Sequence, residues 1–134
     1  MSQNEITNQL NQCFGSLSLF YNPFFKALKY TEGVKLMSEL CSANWMLVDV
    51  LANCTLLSKE EGFITIRVFK DENADSCHID FTDGDYTLLK RLEYSYTDFP
   101  LTDQIDKSSD PDGKKRPALT MYCIDSVILL TSEY

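Results

Sequence analysis

Apolar residues recur at helical spacing through the first part of the chain. Ile6, Leu10, Cys13 and Phe14 lie three and four residues apart with Gly15 behind them, which predicts a short amphipathic helix with a glycine stop. The aromatic-rich stretch from Leu17 to Tyr30 is broken by Asn22-Pro23 and reads as irregular or partly extended. Thr31 is a good N-cap with Glu32 in the first turn, and Val34, Met37, Leu40 and Cys41 then repeat as the inner face of a second helix. Asn44 is the expected cap of a third helix, in which Trp45, Val48, Leu51 and Ala52 share a face that Met46, Leu47 and Val50 widen almost all round. That helix should be the most buried, and Trp45→Ala should cost roughly 3–5 kcal/mol through the cavity it leaves.

From Phe63 the period changes to two. Phe63–Phe69 is β-branched and aromatic, Cys77–Phe81 alternates apolar with polar positions, and Asp83-Gly84 marks a tight turn before Tyr86–Tyr96. Leu119–Ile124 and Val127–Thr131 are two further strand-like runs joined at Asp125-Ser126, the second apolar enough for a central strand covered on both faces. The expected fold is therefore α+β: an antiparallel sheet of about five strands packed against two or three N-terminal helices. One domain is expected over residues 1–134, with the helix of residues 1–15 at its periphery and a long polar loop at 102–118. Lys107–Pro117, the apolar-free centre of that loop, should be mobile.

Composition narrows the partners. The chain has 134 residues and 44% hydrophobic content, ample for one packed core. Its net charge of −8 is concentrated: ten acids and two bases, Lys90 and Arg91, lie between Asp71 and Asp106, and the remainder balances. Such a stretch repels a phosphate backbone, so direct nucleic-acid binding is disfavoured and partners with basic surfaces are favoured. With no apolar run near membrane-spanning length and no secretion signal at Met1–Glu5, no membrane partner and a cytoplasmic location are expected. Cys13, Cys41, Cys54, Cys77 and Cys123 are odd in number and lack short pairings, which suits buried reduced thiols better than disulfides or a metal site.

Four segments carry a resemblance. Tyr30-Thr31-Glu32-Gly33-Val34-Lys35, Ala43-Asn44-Trp45-Met46-Leu47-Val48-Asp49, Thr97-Asp98-Phe99-Pro100-Leu101 and the terminal Ser132-Glu133-Tyr134 resemble, in order and spacing, a bacterial, plasmid and phage family classed as domain of unknown function 6876. The likeness runs from about Phe20 to Tyr134 and leaves the first helix outside. It implies no particular chemistry. The family's occurrence on mobile elements implies a role in conflict between phage and host.

Candidate chemistry is sparse. Cys77 and His78 point to opposite faces of a strand, so they cannot form a nucleophile–base pair with each other. Asp71, Asn73 and Asp75 imitate the start of a calcium loop, but Ser76 and Thr82 stand where glycine and the closing glutamate are required. Asp49 sits among apolar neighbours, where an unpaired charge costs several kcal/mol, so it must bond a backbone amide, a tyrosine hydroxyl or Arg67, or else belong to a site. Asp98 is expected to bond its own turn and Phe99 to plug the core. No catalytic, cofactor or metal residue is assigned. The expected function is a non-enzymatic acidic protein-binding module, such as a phage or mobile-element inhibitor of anti-CRISPR type. It would seat Asp71, Glu72, Asp75, Asp80, Asp83 and Asp85 on a basic surface of a host nucleic-acid-handling complex, with Lys114, Lys115 and Arg116 as one basic contact. Two alternatives are a small enzyme built around Asp49 and His78, and a self-associating module that pairs a sheet edge with a second copy into a homodimer.

Overall fold

The computed structural model describes residues 2–13, 18–105 and 115–134. Helix α1 (Gln3–Asn11) is capped by the Ser2 hydroxyl, which accepts from the Glu5 amide at 3.2 Å. Ile6 and Leu10 lie one turn apart on its inner face and are buried with the rest of the core. Phe14 and Gly15, expected at its end, lie outside the described residues. Helix α2 (Glu32–Leu40) starts where expected, on a Thr31 cap. Helix α3 (Asn44–Leu57) begins one residue before the expected first turn: Ala43 is its N-cap without a side-chain bond, and Asn44 is already helical.

Among the described residues the strands build two sheets. The larger has seven strands: β1 (Leu19–Phe20), β2 (Lys29–Thr31), β3 (Phe63–Phe69), β4 (Cys77–Thr82), β5 (Leu88–Tyr94), β8 (Leu119–Ile124) and β9 (Val127–Leu130). Their order is β1-β2-β9-β8-β3-β4-β5. The expected five antiparallel strands are all present as β3, β4, β5, β8 and β9, but the sheet is larger and mixed, because β1 and β2 extend it and β2 runs parallel to β9. Strands of two and three residues leave no periodicity to read. The 102–118 stretch is also not loop throughout: β6 (Gln104–Ile105) pairs with β7 (Lys115–Arg116) in a small ribbon. Residues 106–114, which include most of the segment expected to be mobile, lie outside the described residues.

Strand alternation sorts the sheet into two faces. Ile64, Ile66 and Val68 on β3, Cys77, Ile79 and Phe81 on β4, Met121 and Cys123 on β8, and Ile128 and Leu130 on β9 point inward and are buried. All but Cys77 join Val34, Met37, Met46, Leu47, Val50, Leu51 and Cys54 of the helices in one cluster. The opposite face carries Phe63, Arg67, Phe69, His78, Asp80, Tyr122 and Leu129, all half-exposed. β9 is central but not doubly covered, since Val127 and Leu129 on that second face are only half-buried. On α3 the buried positions are Met46, Leu47, Val50, Leu51 and Cys54, while Trp45 is half-buried and sets its ring against Tyr94 of β5 at 5.1 Å. Trp45 is thus a lid at the β5 edge rather than the centre of the core.

Tight turns fix the strand pairs. Asp125 and Ser126 both take positive φ, 49° and 66°, the pair that a two-residue hairpin with native twist requires. Among the described residues no helix is long and apolar enough to cross a membrane.

Candidate functional site

The acidic stretch is continuous in sequence and divided in space. β4 is a rigid six-residue strand, so its two flanking turns stand roughly 20 Å apart at about 3.4 Å per residue. Asp71, Glu72 and Asp75 lie at one end, Asp83 and Asp85 at the other. Between them Asp80 is neutralised on the second face by a two-pronged bond from Arg91 of β5, Nε to Oδ1 at 2.6 Å and Nη2 to Oδ2 at 2.9 Å. Asp83 organises its own turn by accepting from the amides of Asp85 (2.8 Å) and Thr87 (2.9 Å). Asp71, Glu72 and Asp75 therefore stand apart from Asp83 and Asp85, with Asp80 between the two groups. β4 is moreover an interior strand, and β5 alone of the acidic stretch supplies an edge to the large sheet.

What the fold does assemble is one acidic end. Thr97 donates its amide to the Asp75 carbonyl at 2.6 Å, and Asp103 exchanges two bonds with the Lys70 backbone, Oδ1 accepting at 2.8 Å and its own amide donating at 2.7 Å. These bonds pin residues 97–103 against the β3–β4 connection. Phe99 and Leu101 hold the segment from below, both buried, and the turn is closed by the Thr97 hydroxyl accepting from the Phe99 amide at 3.1 Å rather than by Asp98. A cleft of about 630 Å³ results, lined by Phe69, Asp71, His78, Glu93, Tyr94 and Asp103 among others. Glu72, Asp75 and Asp98 are exposed around it. Glu93, Asp98 and Asp103 lie 18 or more residues from Asp75 in the chain, and only folding brings them here.

Of the basic triplet, Arg116 alone has a described side chain. Lys114 lies outside the described residues, and Lys115 is placed by its backbone in β7. Arg116 is exposed opposite Gln104, one residue from Asp103, so the base borders the acidic end. It also lines a smaller cavity of about 310 Å³ with Leu10, Leu101 and Leu130.

Asp49 and His78 fall on opposite faces of the sheet. Asp49 Oδ2 accepts from the Tyr94 hydroxyl at 2.6 Å on the helix side, where Tyr94 stands opposite Cys77. Burial, followed by the bond and charge of Asp49, pushes the Tyr94 phenol well above its ordinary range. His78 stands opposite Glu93 on the second face, stacked on Phe69 at 4.9 Å, with Nε2 4.0 Å from Asp80 Oδ2. His78 and Tyr94, the partner of Asp49, both line the cleft, and Asp49 itself does not. Burial pushes the Cys41 thiol up to about 11 and also raises Cys77 and Cys13, whereas the hydrogen bond with Cys54 lowers Cys123. Among the described residues no three His, Cys, Asp or Glu side chains are grouped to hold a metal.

One constellation was not anticipated from the sequence. The Glu133 carboxylate sits on the N-terminus of α2, accepting from the Thr31 hydroxyl (2.6 Å), the Gly33 amide (3.3 Å) and the Leu130 amide (3.0 Å). A Cβ on Gly33 would lie 2.5 Å from Glu133 Oε1, so glycine is needed for this approach. The signal that could have found it is a glycine in the first turn of a helix, since an unconstrained helix favours almost any other residue.

Comparison with known proteins gives other bounds than the expected likeness over Phe20–Tyr134. The model of a family of unknown function, DUF6876, matches residues 4–105, which takes in α1 and ends before β7, β8 and β9. Neither a curated protein nor a solved structure matches the chain. With 102 of its 134 residues covered by that match, the chain belongs to the DUF6876 family of unknown function.

Proposed function

We propose that the chain is a non-enzymatic protein-binding module whose acidic end occupies a basic surface of a partner. The observation that carries this reading is the convergence of three separated segments on one cleft lined by Asp71, Glu93 and Asp103, with the exposed Glu72, Asp75 and Asp98 in the segments that the bonds of Thr97 to Asp75 and of Asp103 to Lys70 hold together. Six carboxylates at one end, against Lys70 and the bordering Arg116, make a strongly negative local field. Like charges gathered at this density weaken the fold, so their retention suits a surface that meets positive charge elsewhere. The partner best matched is a host protein or nucleoprotein complex with a basic surface that otherwise takes phosphates. Carried by a phage or mobile element, a module of this kind would act as an inhibitor in the manner of anti-CRISPR proteins, by covering that surface rather than by chemistry.

Binding driven by such a field is fast and falls steeply with ionic strength. The test is affinity capture from a host lysate at low and at moderate salt, with the parent and with Glu72→Lys, Asp75→Lys and Asp98→Lys combined. A partner is expected at low salt, less of it at moderate salt, and none with the reversed charges. Capture of nothing at either salt, or equal capture by the reversed variant, would sink the proposal.

A further inference from the structure

The two edges of the large sheet are unequal. β1 is two residues long and offers little to another chain, whereas β5 is a seven-residue strand that, among the described residues, pairs with β4 alone. Its outer backbone groups form a row of donors and acceptors of the kind that pairs with a further strand. Charged side chains usually blunt such an edge. Here they are ordered: Arg91 and Glu93 point to the second face, opposite Asp80 and His78 of β4, and Leu92 and Tyr94 point to the helix face, opposite Ile79 and Cys77.

That order selects a partner and a register. An antiparallel pair of identical strands is related by a two-fold axis normal to the sheet, which keeps each face on its own side, so the axis must pass through a residue paired with itself. Centred on Lys90, Arg91 or Glu93, the pairing opposes a charge to its own copy. Centred on Leu92, it sets Arg91 opposite the partner's Glu93 twice over, and Leu92 against the partner's Leu92. Within Leu88–Tyr94 no other two-fold register opposes unlike charges. Arg91 uses Nε and Nη2 on Asp80, which leaves the N–H groups of Nη1 outside that two-pronged bond. The second face then carries a row of alternating sign across the seam: Arg67 and Asp80 in register, Arg91 beside Asp80, and the partner's Glu93 beyond.

We infer that β5 is a self-association edge, pairing antiparallel with β5 of a second copy about Leu92 to give one continuous sheet with the helices of both copies on the same side. Of the acidic end it uses Glu93 alone; Glu72, Asp75 and Asp98 take no part in it, so charge reversal at those three and at the seam tests the two readings separately.

The register makes the test specific. Light scattering should give twice the 15.3 kDa mass of the chain at high concentration. Leu92→Cys should cross-link to itself under mild oxidation, because directly opposed residues have Cα atoms about 4.5–5.5 Å apart, within disulfide reach, while Lys90→Cys should not exceed the parent's background. Arg91→Glu and Glu93→Arg should each dimerise roughly tenfold more weakly or worse, and mixing the two should restore a heterodimer, since both seam pairs again oppose unlike charges. A chain that stays monomeric to millimolar concentration overturns the inference. So does a dimer in which Cys at position 92 fails to cross-link, or one that the mixed charge variants do not rebuild.

Discussion

Gly33 and Glu133 stand 100 residues apart and act as one unit. In an ordinary helix Gly→Ala gains up to about 1 kcal/mol. Here the added methyl meets the Glu133 carboxylate at 2.5 Å and must displace it from the α2 terminus and from Thr31 and Leu130. Gly33→Ala is therefore expected to lose roughly 1–2 kcal/mol in urea unfolding, the scale of a charge-assisted hydrogen bond. In a Glu133→Ala background the same change should become neutral or stabilising, and additivity of the two would show that they do not touch. Tyr94 offers a second reading at this scale. Its phenol is held above the ordinary value near 10 by burial and by Asp49, so the folded state binds its proton more tightly than the unfolded chain does. The resulting stabilisation is fully present below about pH 10 and is lost as pH rises from there through the folded value. Tyr94→Phe should flatten that alkaline loss in denaturation curves taken between neutral and strongly alkaline pH; an unchanged slope would assign the loss to other groups.

Helix α3 illustrates what a nearly all-round apolar pattern leaves undecided. Trp45, the largest side chain on it, was expected in the core, yet Met46, Leu47, Val50, Leu51 and Cys54 form the buried stripe and Trp45 closes over Tyr94 at the sheet's margin. Leu51→Ala is accordingly expected to cost about 2–5 kcal/mol through an enclosed cavity, and Trp45→Ala less, because solvent already reaches its site. Ranking the two by chemical denaturation checks the assignment, and a larger loss for Trp45 would reverse it. Thr31 as the cap of α2 and the Asp83-Gly84 turn were legible because each depends on neighbours within four residues.

Across the whole molecule, charge placement links stability to binding. Among the described residues the exposed carboxylates Glu72, Asp75 and Asp98 make no structural bond comparable to those of Asp80, Asp83 or Asp103. Glu72→Lys with Asp75→Lys is expected to raise the thermal midpoint by a few degrees at low salt, a gain below about 1 kcal/mol that vanishes as the Debye length shrinks. Thermal melts at two ionic strengths decide it. A midpoint lowered at low salt would mean that these carboxylates hold the fold rather than strain it.

Local patterns carried the α+β class, two of the helix starts to within a residue or two, and all five longer strands with their alternating faces, since hydrophobic period and turn chemistry are properties of adjacent residues. Tertiary structure alone decided the rest. β1 and β2 exist because β9 offers them an edge, and a parallel pairing across about 100 residues has no local signature. The buried side of α3 was chosen by the sheet beneath it. The acidic run was divided because a strand is stiff, and it was rebuilt at one end by residues 93–103, which the backbone bonds of Asp75 and Lys70 hold in place. Sequence specifies which charges and apolar groups a chain has; where they meet depends on the loop closures that folding selects, and those rest on contacts between residues far apart in the chain.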